Sequence, residues 1–168
     1  MKHLYTLLLS LMVFIAPLNV MAQSKVAHIN TQQLISEMPE VIAAQNELKK
    51  LEDQYGKEME NSVKEFQTKA QTYQGDAQNQ TDLINQPRQV ELQEMQQRIQ
   101  DFRETAAQEL QKRSADMMRP LYEKARAAIE KVAAAQGFDY VIDATQGYGL
   151  IVANGTDLLA SVKKELGF

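Results

Sequence analysis

Residues 75–87 read GDAQNQTDLINQP, and this stretch decides the fold. Glycine, asparagine, aspartate and proline follow one another here, the chemistry of a turn. Long apolar seams run on both sides of it. Before the turn the seam passes through Val41, Ala44, Leu48, Leu51, Tyr55, Met59, Ser62/Val63, Phe66, Ala70, Tyr73 and Ala77. After it the seam resumes at Leu92, Met95, Ile99, Phe102, Ala106, Leu110, Arg113/Ser114, Met117, Leu121, Ala125, Ala128/Ile129, Val132 and Ala135. Alternating steps of three and four are those of a coiled coil. A patch of consecutive fours near Tyr55 is a stutter that locally unwinds the supercoil.

Two seams flanking one turn predict an antiparallel helical hairpin over residues 39–136, with its tip near 75–87 and Pro87 starting the return helix. At 1.5 Å per residue the arms would measure roughly 55 Å and roughly 70 Å. Lone Gly56 weakens the first arm by about 1 kcal/mol. Pro120 removes a backbone hydrogen bond from the second arm, which predicts a kink near Met117–Pro120.

The segments outside the hairpin have a different period. KVAHIN (25–30) alternates with period two and predicts a short strand. Thr31 to Glu37 follows as one or two helical turns capped by Asn30 or Thr31. Pro39-Glu40 suits the first turn of the next helix. Gln136-Gly137 ends the hairpin with a glycine cap. FDYVIDA (138–144) and LIVA (150–153) read as two strands joined as a β-hairpin by Thr145–Gly149. Asn154-Gly155 then turns into a last helix, capped by Thr156 or Asp157, with Leu158, Leu159, Val162 and Leu166 as its buried stripe. The fold class expected is mainly α with a small β body: residues 23–38 and 137–168 form an oligomerising α+β body from which the hairpin projects. Such a body is marginal alone, and oligomerisation would stabilise it.

The first 22 residues carry one early cation, Lys2, then an apolar run from Leu4 to Val20, closing on Val20-Met21-Ala22. That order predicts a cleavable secretory signal peptide with Gln23 as the first mature residue. The run is broken by Pro17 and is shorter than the ~20 residues of a membrane span. No stable membrane insertion is expected after cleavage, so the mature chain is expected to be exported and soluble. The sequence contains no cysteine, so it has neither a lipobox nor a disulfide framework.

Composition narrows the function classes. The net charge is −4 across 168 residues, which argues against a nucleic-acid partner, since clustered cations are needed there. There is no cysteine, and after cleavage the one histidine left, His28, alternates with apolar neighbours in a strand and reads as structural. Ser-His-Asp or Cys-His catalysis therefore lacks its oriented base. No cluster of metal ligands and no phosphate loop is legible, and Gly147-Tyr148-Gly149 reads as a turn. No enzyme activity, cofactor or metal is expected.

KVAHINTQQLISEMPEVIAAQNEL (25–48), RPLYEKARAAIEKVAAAQGFDYVIDA (119–144) and LIVANGTDLLASVKKELGF (150–168) resemble the opening, return helix and closing elements of the Skp/OmpH family. The resemblance covers essentially the whole chain after residue 22; its ends are fairly specific and its middle is generic coiled coil. It implies a homotrimer whose β body carries three helical tentacles around a cavity. There the family holds unfolded outer-membrane β-barrel proteins in the periplasm without ATP. One departure stands out. Family arms are often strongly basic, whereas Glu40 to Lys131 here has 14 cations against 17 anions. No lipopolysaccharide or anionic-membrane site is therefore carried over.

The candidate client-binding residues are Val63, Phe66, Tyr73, Met95 and Phe102 in the outer hairpin, whose plainer role is to zip the arms together, and Leu83 and Ile84 at the tip, where the alternative is a staple that closes the tip. Ile29, Val141, Ile142, Leu150, Ile151 and Val152 are the candidates for body core and subunit contact. An exported coiled-coil rod tethering two envelope components is the competing reading.

Overall fold

The structure is a computed structural model and describes residues 24–168; the expected signal peptide, residues 1–22, lies outside the described residues. In chain order the elements are β1 (Val26–Ile29), α1 (Thr31–Glu37), α2 (Pro39–Asp76), a 3-10 turn (Ala77–Asn79), α3 (Asp82–Gln136), β2 (Tyr140–Asp143), β3 (Thr156–Asp157) and α4 (Leu159–Leu166). The architecture is mainly helical: α2 and α3 form a long antiparallel hairpin standing on a small base made by the other elements.

Local chemistry sets most of the boundaries. The Asn30 side chain accepts the Gln33 amide at 2.8 Å, satisfying one of the free donors at the start of α1. Met38 is extended at ψ 123°, as a residue preceding proline must be, and Pro39 opens α2. Gly137 ends α3 at φ 71°, its amide reaching the Ala133 and Ala134 carbonyls, a conformation that costs glycine least.

Both prolines of the return helix lie within it. Pro87 does not start the return helix: α3 begins at Asp82, so Pro87 lies inside its second turn. The missing amide of an exposed residue there leaves only a solvent-facing carbonyl unpaired, too small a loss to delay the helix. Pro120 also lies within α3, which continues as one element on both sides of it.

The sheet departs from the expectation more deeply. Its order is β2-β1-β3, and β1 runs parallel to both neighbours. Val26 pairs with Tyr140 and Ile29 with Asp143, while Ala27 and His28 pair with Thr156 and Asp157. Leu150, Ile151, Val152 and Ala153 form no strand, and no β-hairpin follows β2. The reason is topological. Parallel strands need a crossover of about a dozen residues, and residues 144–155 are consumed in crossing from β2 past β1 to the other edge. Thr156 and Asp157, expected as helix caps, are the third strand, although the Asp157 carboxylate still accepts the Leu159 amide at 2.9 Å.

The core lies where the hairpin meets the sheet. Ala27 and Ile29 of β1, Leu34, Met38, Val41, the α3 residues Ala125, Ala128, Val132 and Ala133, and Leu158 and Val162 make one buried cluster. Beside it, Thr145 is 2% exposed and donates to Asp143 Oδ1 at 2.7 Å, while the Thr31 hydroxyl donates to Asp143 Oδ2 at 2.6 Å. Burial pushes the Asp143 carboxyl up, but these bonds outweigh it and hold the group below its ordinary value. Ion pairs Glu40–Lys124 at 2.5 Å, Glu165–Lys131 at 2.5 Å and Glu37–Lys163 rim the base.

Candidate functional site

The hairpin seam follows from the spacing of its apolar residues. Val63, Phe66 and Tyr73 of α2 and Phe102 of α3 are all half-buried between the helices. Met95 is 6% exposed, the one fully buried side chain of the outer hairpin. Tyr55 meets Phe102 edge-on, with centroids 5.9 Å apart at 89°, an arrangement aromatic pairs prefer. Val63, Phe66, Tyr73 and Phe102 therefore close the hairpin with one flank and show the other to solvent, whereas Met95 is buried in the seam. Met95 and Phe102 also line a surface groove of about 400 Å³ with Ser62, Glu65, Arg98 and Ile99. The seam is thin, since seam side chains elsewhere in the outer hairpin are only partly covered.

The tip candidates stand apart. Leu83 is 84% exposed and so closes nothing, while Ile84 at 43% is partly covered. Polar groups also hold the tip. Glu91 accepts the Lys69 ammonium at 2.5 Å and the Tyr73 hydroxyl at 2.6 Å. Arg88 reaches Asp76 Oδ2 through both terminal nitrogens, at 3.3 and 3.2 Å, and its guanidinium carbon lies 4.8 Å from the centre of the Tyr73 ring. Asn85 donates to the Ala77 carbonyl at 2.9 Å, tying the first turn of α3 to the 3-10 turn. The Lys69 and Tyr73 bonds hold the Glu91 carboxyl below its usual range, and the same carboxylate raises Lys69 and Tyr73. At Asp76 burial acts upward, and the bonds from Arg88, Gln80 and Asn79 outweigh it.

The residue list read from sequence missed Val90. It is exposed, like Leu83 and Pro87. The spacing 83, 87, 90 puts the three on one face of α3, away from the seam. That spacing was available in the sequence, but the assumption that Pro87 began the helix concealed it.

The base presents its own apolar surface. β-strand alternation and the register place Val26, Tyr140 and Ile142 on the sheet face opposite Ala27, Ile29 and Val141. All three are exposed. Of the residues assigned to body core and subunit contact, Ile29 is buried, Val141 packs against the core from a partly buried position, and Leu150 is half-buried. Ile142, Ile151 and Val152 are not core in this chain: Ile151 is 95% exposed. Ile142 lies in β2 but on its uncovered face, while the strand expected for Ile151 and Val152 is carried outside the sheet by the crossover. A groove of about 980 Å³ lies on the other, core-side face, between Leu34, Met118, Tyr122, Ile129, Phe138 and Val141.

No group of three or more metal-ligating side chains occurs among the described residues. Among them, no helix is long and apolar enough to cross a membrane. The candidate site is a surface: a long two-helix arm with a thin seam and an apolar-faced tip, set on a small parallel sheet.

The chain belongs to the OmpH-like outer membrane protein family, whose model matches residues 25–166. Its fold is similar to that of an OmpH-like outer membrane chaperone from Caulobacter crescentus CB15, with a TM-score of 0.76 at 16% identity, over 86% of this chain and 85% of that one. No curated protein matches it.

Proposed function

We propose that this protein is an ATP-independent holdase chaperone of the periplasm that binds unfolded outer-membrane proteins and prevents their aggregation in transit. The observation that carries the reading is the arm itself. α2 spans 38 residues and α3 spans 55, about 57 and 82 Å at helical rise, yet only Met95 is fully buried in its outer half. A domain built only to be stable would cover that seam. An arm that must hold many different chains without ATP needs a broad, weak, adaptable surface, and partly exposed Phe66, Tyr73, Met59 and Phe102 with the tip residues Leu83, Ile84 and Val90 supply one.

Holding by weak contacts calls for several arms at once, since linked sites raise the effective concentration of each other's contacts. The uncovered sheet face of Val26, Tyr140 and Ile142, with Ile151 and Val152 beside it, would associate with copies of itself, and a homotrimer with three arms is the assembly proposed. Val63, Phe66, Tyr73, Leu83, Ile84, Met95 and Phe102 are the proposed client contacts, together with Val90. The protein is proposed to reach the periplasm through a cleaved signal peptide and to be no enzyme.

The test dilutes a urea-unfolded outer-membrane β-barrel protein into buffer containing this protein and no nucleotide, with light scattering followed against its concentration. Suppressed scattering that saturates near one trimer per client is the expected result. Unchanged scattering at large excess, with the protein folded and assembled, overturns the holdase reading and favours the tethering rod.

A further inference from the structure

Four glycines have positive φ: Gly137, Gly147, Gly149 and Gly167. Each has a backbone reason to be glycine. Gly155 does not share that conformation. A Cβ built on it would lie 3.7 Å from His28 Nδ1 and 3.7 Å from the Val26 carbonyl oxygen, which is ordinary contact. Alanine would therefore fit at this position. The residue before it is Asn154, and both are exposed in a segment with neither helix nor strand.

Those features are the requirements of one reaction. The Asn154 side-chain amide can be attacked by the backbone nitrogen of the next residue when three conditions hold. That nitrogen must be unengaged, the backbone must be free to turn, and no Cβ may crowd the ring. The Gly155 amide takes part in no turn hydrogen bond, and strand pairing begins only at Thr156. The other five asparagines of the described chain precede bulkier residues: Thr31, Glu47, Ser62, Gln80 and Gln86. Asn46, Asn61 and Asn85 are also held in helices, and Asn79 in the 3-10 turn.

We propose that Asn154–Gly155 is a site of spontaneous deamidation, and that its isoaspartyl product loosens β3 from β1. The Gly155 nitrogen gives up its proton and bonds to Asn154 Cγ, the Cγ–Nδ2 bond breaks, and ammonia leaves, closing a five-membered imide. Water then opens the imide at one carbonyl or the other, giving aspartate or isoaspartate. No oxidant or reductant takes part, and water is the only co-reactant. Isoaspartate routes the main chain through the former side chain and adds one methylene to it. That insertion falls two residues before Thr156, whose pairing with Ala27 opens a strand of only two residues. Immediately beyond, the Leu158 amide donates to the His28 carbonyl at 2.9 Å, so the altered backbone also lies close to the anchor of α4.

The experiment holds the purified protein at physiological temperature and mildly alkaline pH, then maps its peptides by mass at intervals. The peptide containing Asn154 is expected to lose its amide and split into two isomeric acids, while those containing Asn46, Asn61, Asn79 and Asn85 keep theirs. Gly155→Ala is expected to suppress the conversion with an unchanged circular dichroism spectrum. In the separated isoaspartyl form, amide exchange at His28 and Leu158 is expected to be faster than in the parent. An Asn154 amide that survives in the native protein, while a free peptide of residues 150–158 converts, overturns the site. Conversion without faster exchange at His28 and Leu158 overturns the loosening of β3.

Discussion

The guanidinium of Arg88 lies 4.8 Å over the ring of Tyr73, so a residue of the return helix sits on an aromatic face offered by the outgoing one. The same guanidinium bonds Asp76, and the Tyr73 hydroxyl bonds Glu91. The tip of the arm is therefore closed by a polar circuit where the seam has little apolar cover to give.

Arg88→Ala should open that circuit while sparing the base. A cation over an exposed aromatic face contributes about 0.5–1 kcal/mol, so amides of residues 70–90 should exchange several-fold faster, with the global melting temperature nearly unchanged. Hydrogen exchange read by mass spectrometry checks both halves, and a fall in melting temperature with uniform exchange would refute the assignment.

The closure should also depend on pH at both extremes. Glu91 titrates below its ordinary value in the folded chain, so its contribution is present above about 4.3 and is lost as pH falls through the lower folded value. Lys69 is raised, so its contribution is present below about 10.4 and is lost as pH rises through the higher folded value. Protection of the tip amides, corrected for the intrinsic pH dependence of exchange, should show a plateau between these limits, and Glu91→Gln should reduce the acid limb to the part that Asp76 carries.

Asp143→Ala should destabilise the base. It removes the acceptor for the Thr31 and Thr145 hydroxyls and for the Thr145 amide, and Thr145 is buried. Stranding a buried donor costs about 1–3 kcal/mol. Urea titration by circular dichroism should show the midpoint fall by a corresponding amount, whereas Asp139→Ala, at the exposed end of the strand, should move it much less.

Leu34→Ala tests the core directly. The side chain is fully buried beneath α3, and cavities of this kind cost about 2–5 kcal/mol. The base should melt at lower temperature, and any assembly that depends on the sheet face should dissociate with it, as sedimentation would record.

Leu83→Ser with Val90→Ser should separate function from stability. Both residues are exposed, and surface changes shift stability by only about 0.5 kcal/mol. The double variant should melt like the parent yet suppress client aggregation less well at equal concentration. Equal suppression would remove the tip from the client surface.

How far the sequence discloses this molecule depends on the range of the interaction that shapes each part. The arm is set by neighbours three and four residues apart, and nearly every seam residue from Val41 to Ala77 is at least half-buried. Asn30 and Gly137 work through bonds a few residues long, and their capping roles are legible for the same reason. The sheet is otherwise. LIVA has the composition of a strand, but its place depends on which edge of β1 remains free, and that is settled by β2 more than a hundred residues downstream of β1. A two-residue strand such as β3 has no period to read. Met38, fully buried at the α1–α2 corner, is likewise invisible to a periodicity argument because it belongs to neither helix. The candidate surface divides the same way: the seam aromatics follow from spacing, whereas Val90 emerges only once α3 is known to begin before Pro87.

The placement of the arm between two adjacent parallel strands has a kinetic consequence. The bond from Thr31 to Asp143 spans 112 residues, and closing a flexible loop of that length costs about 4 kcal/mol in chain entropy. A helical hairpin forms through local contacts and folds early. Once zipped, it brings residue 38 and residue 137 to the same end of a stiff rod, so β1 and β2 meet across a short gap rather than a long coil. The arm is thus the splint on which its own base is assembled, and a lesion that unzips it should slow the appearance of the sheet before it weakens the finished fold.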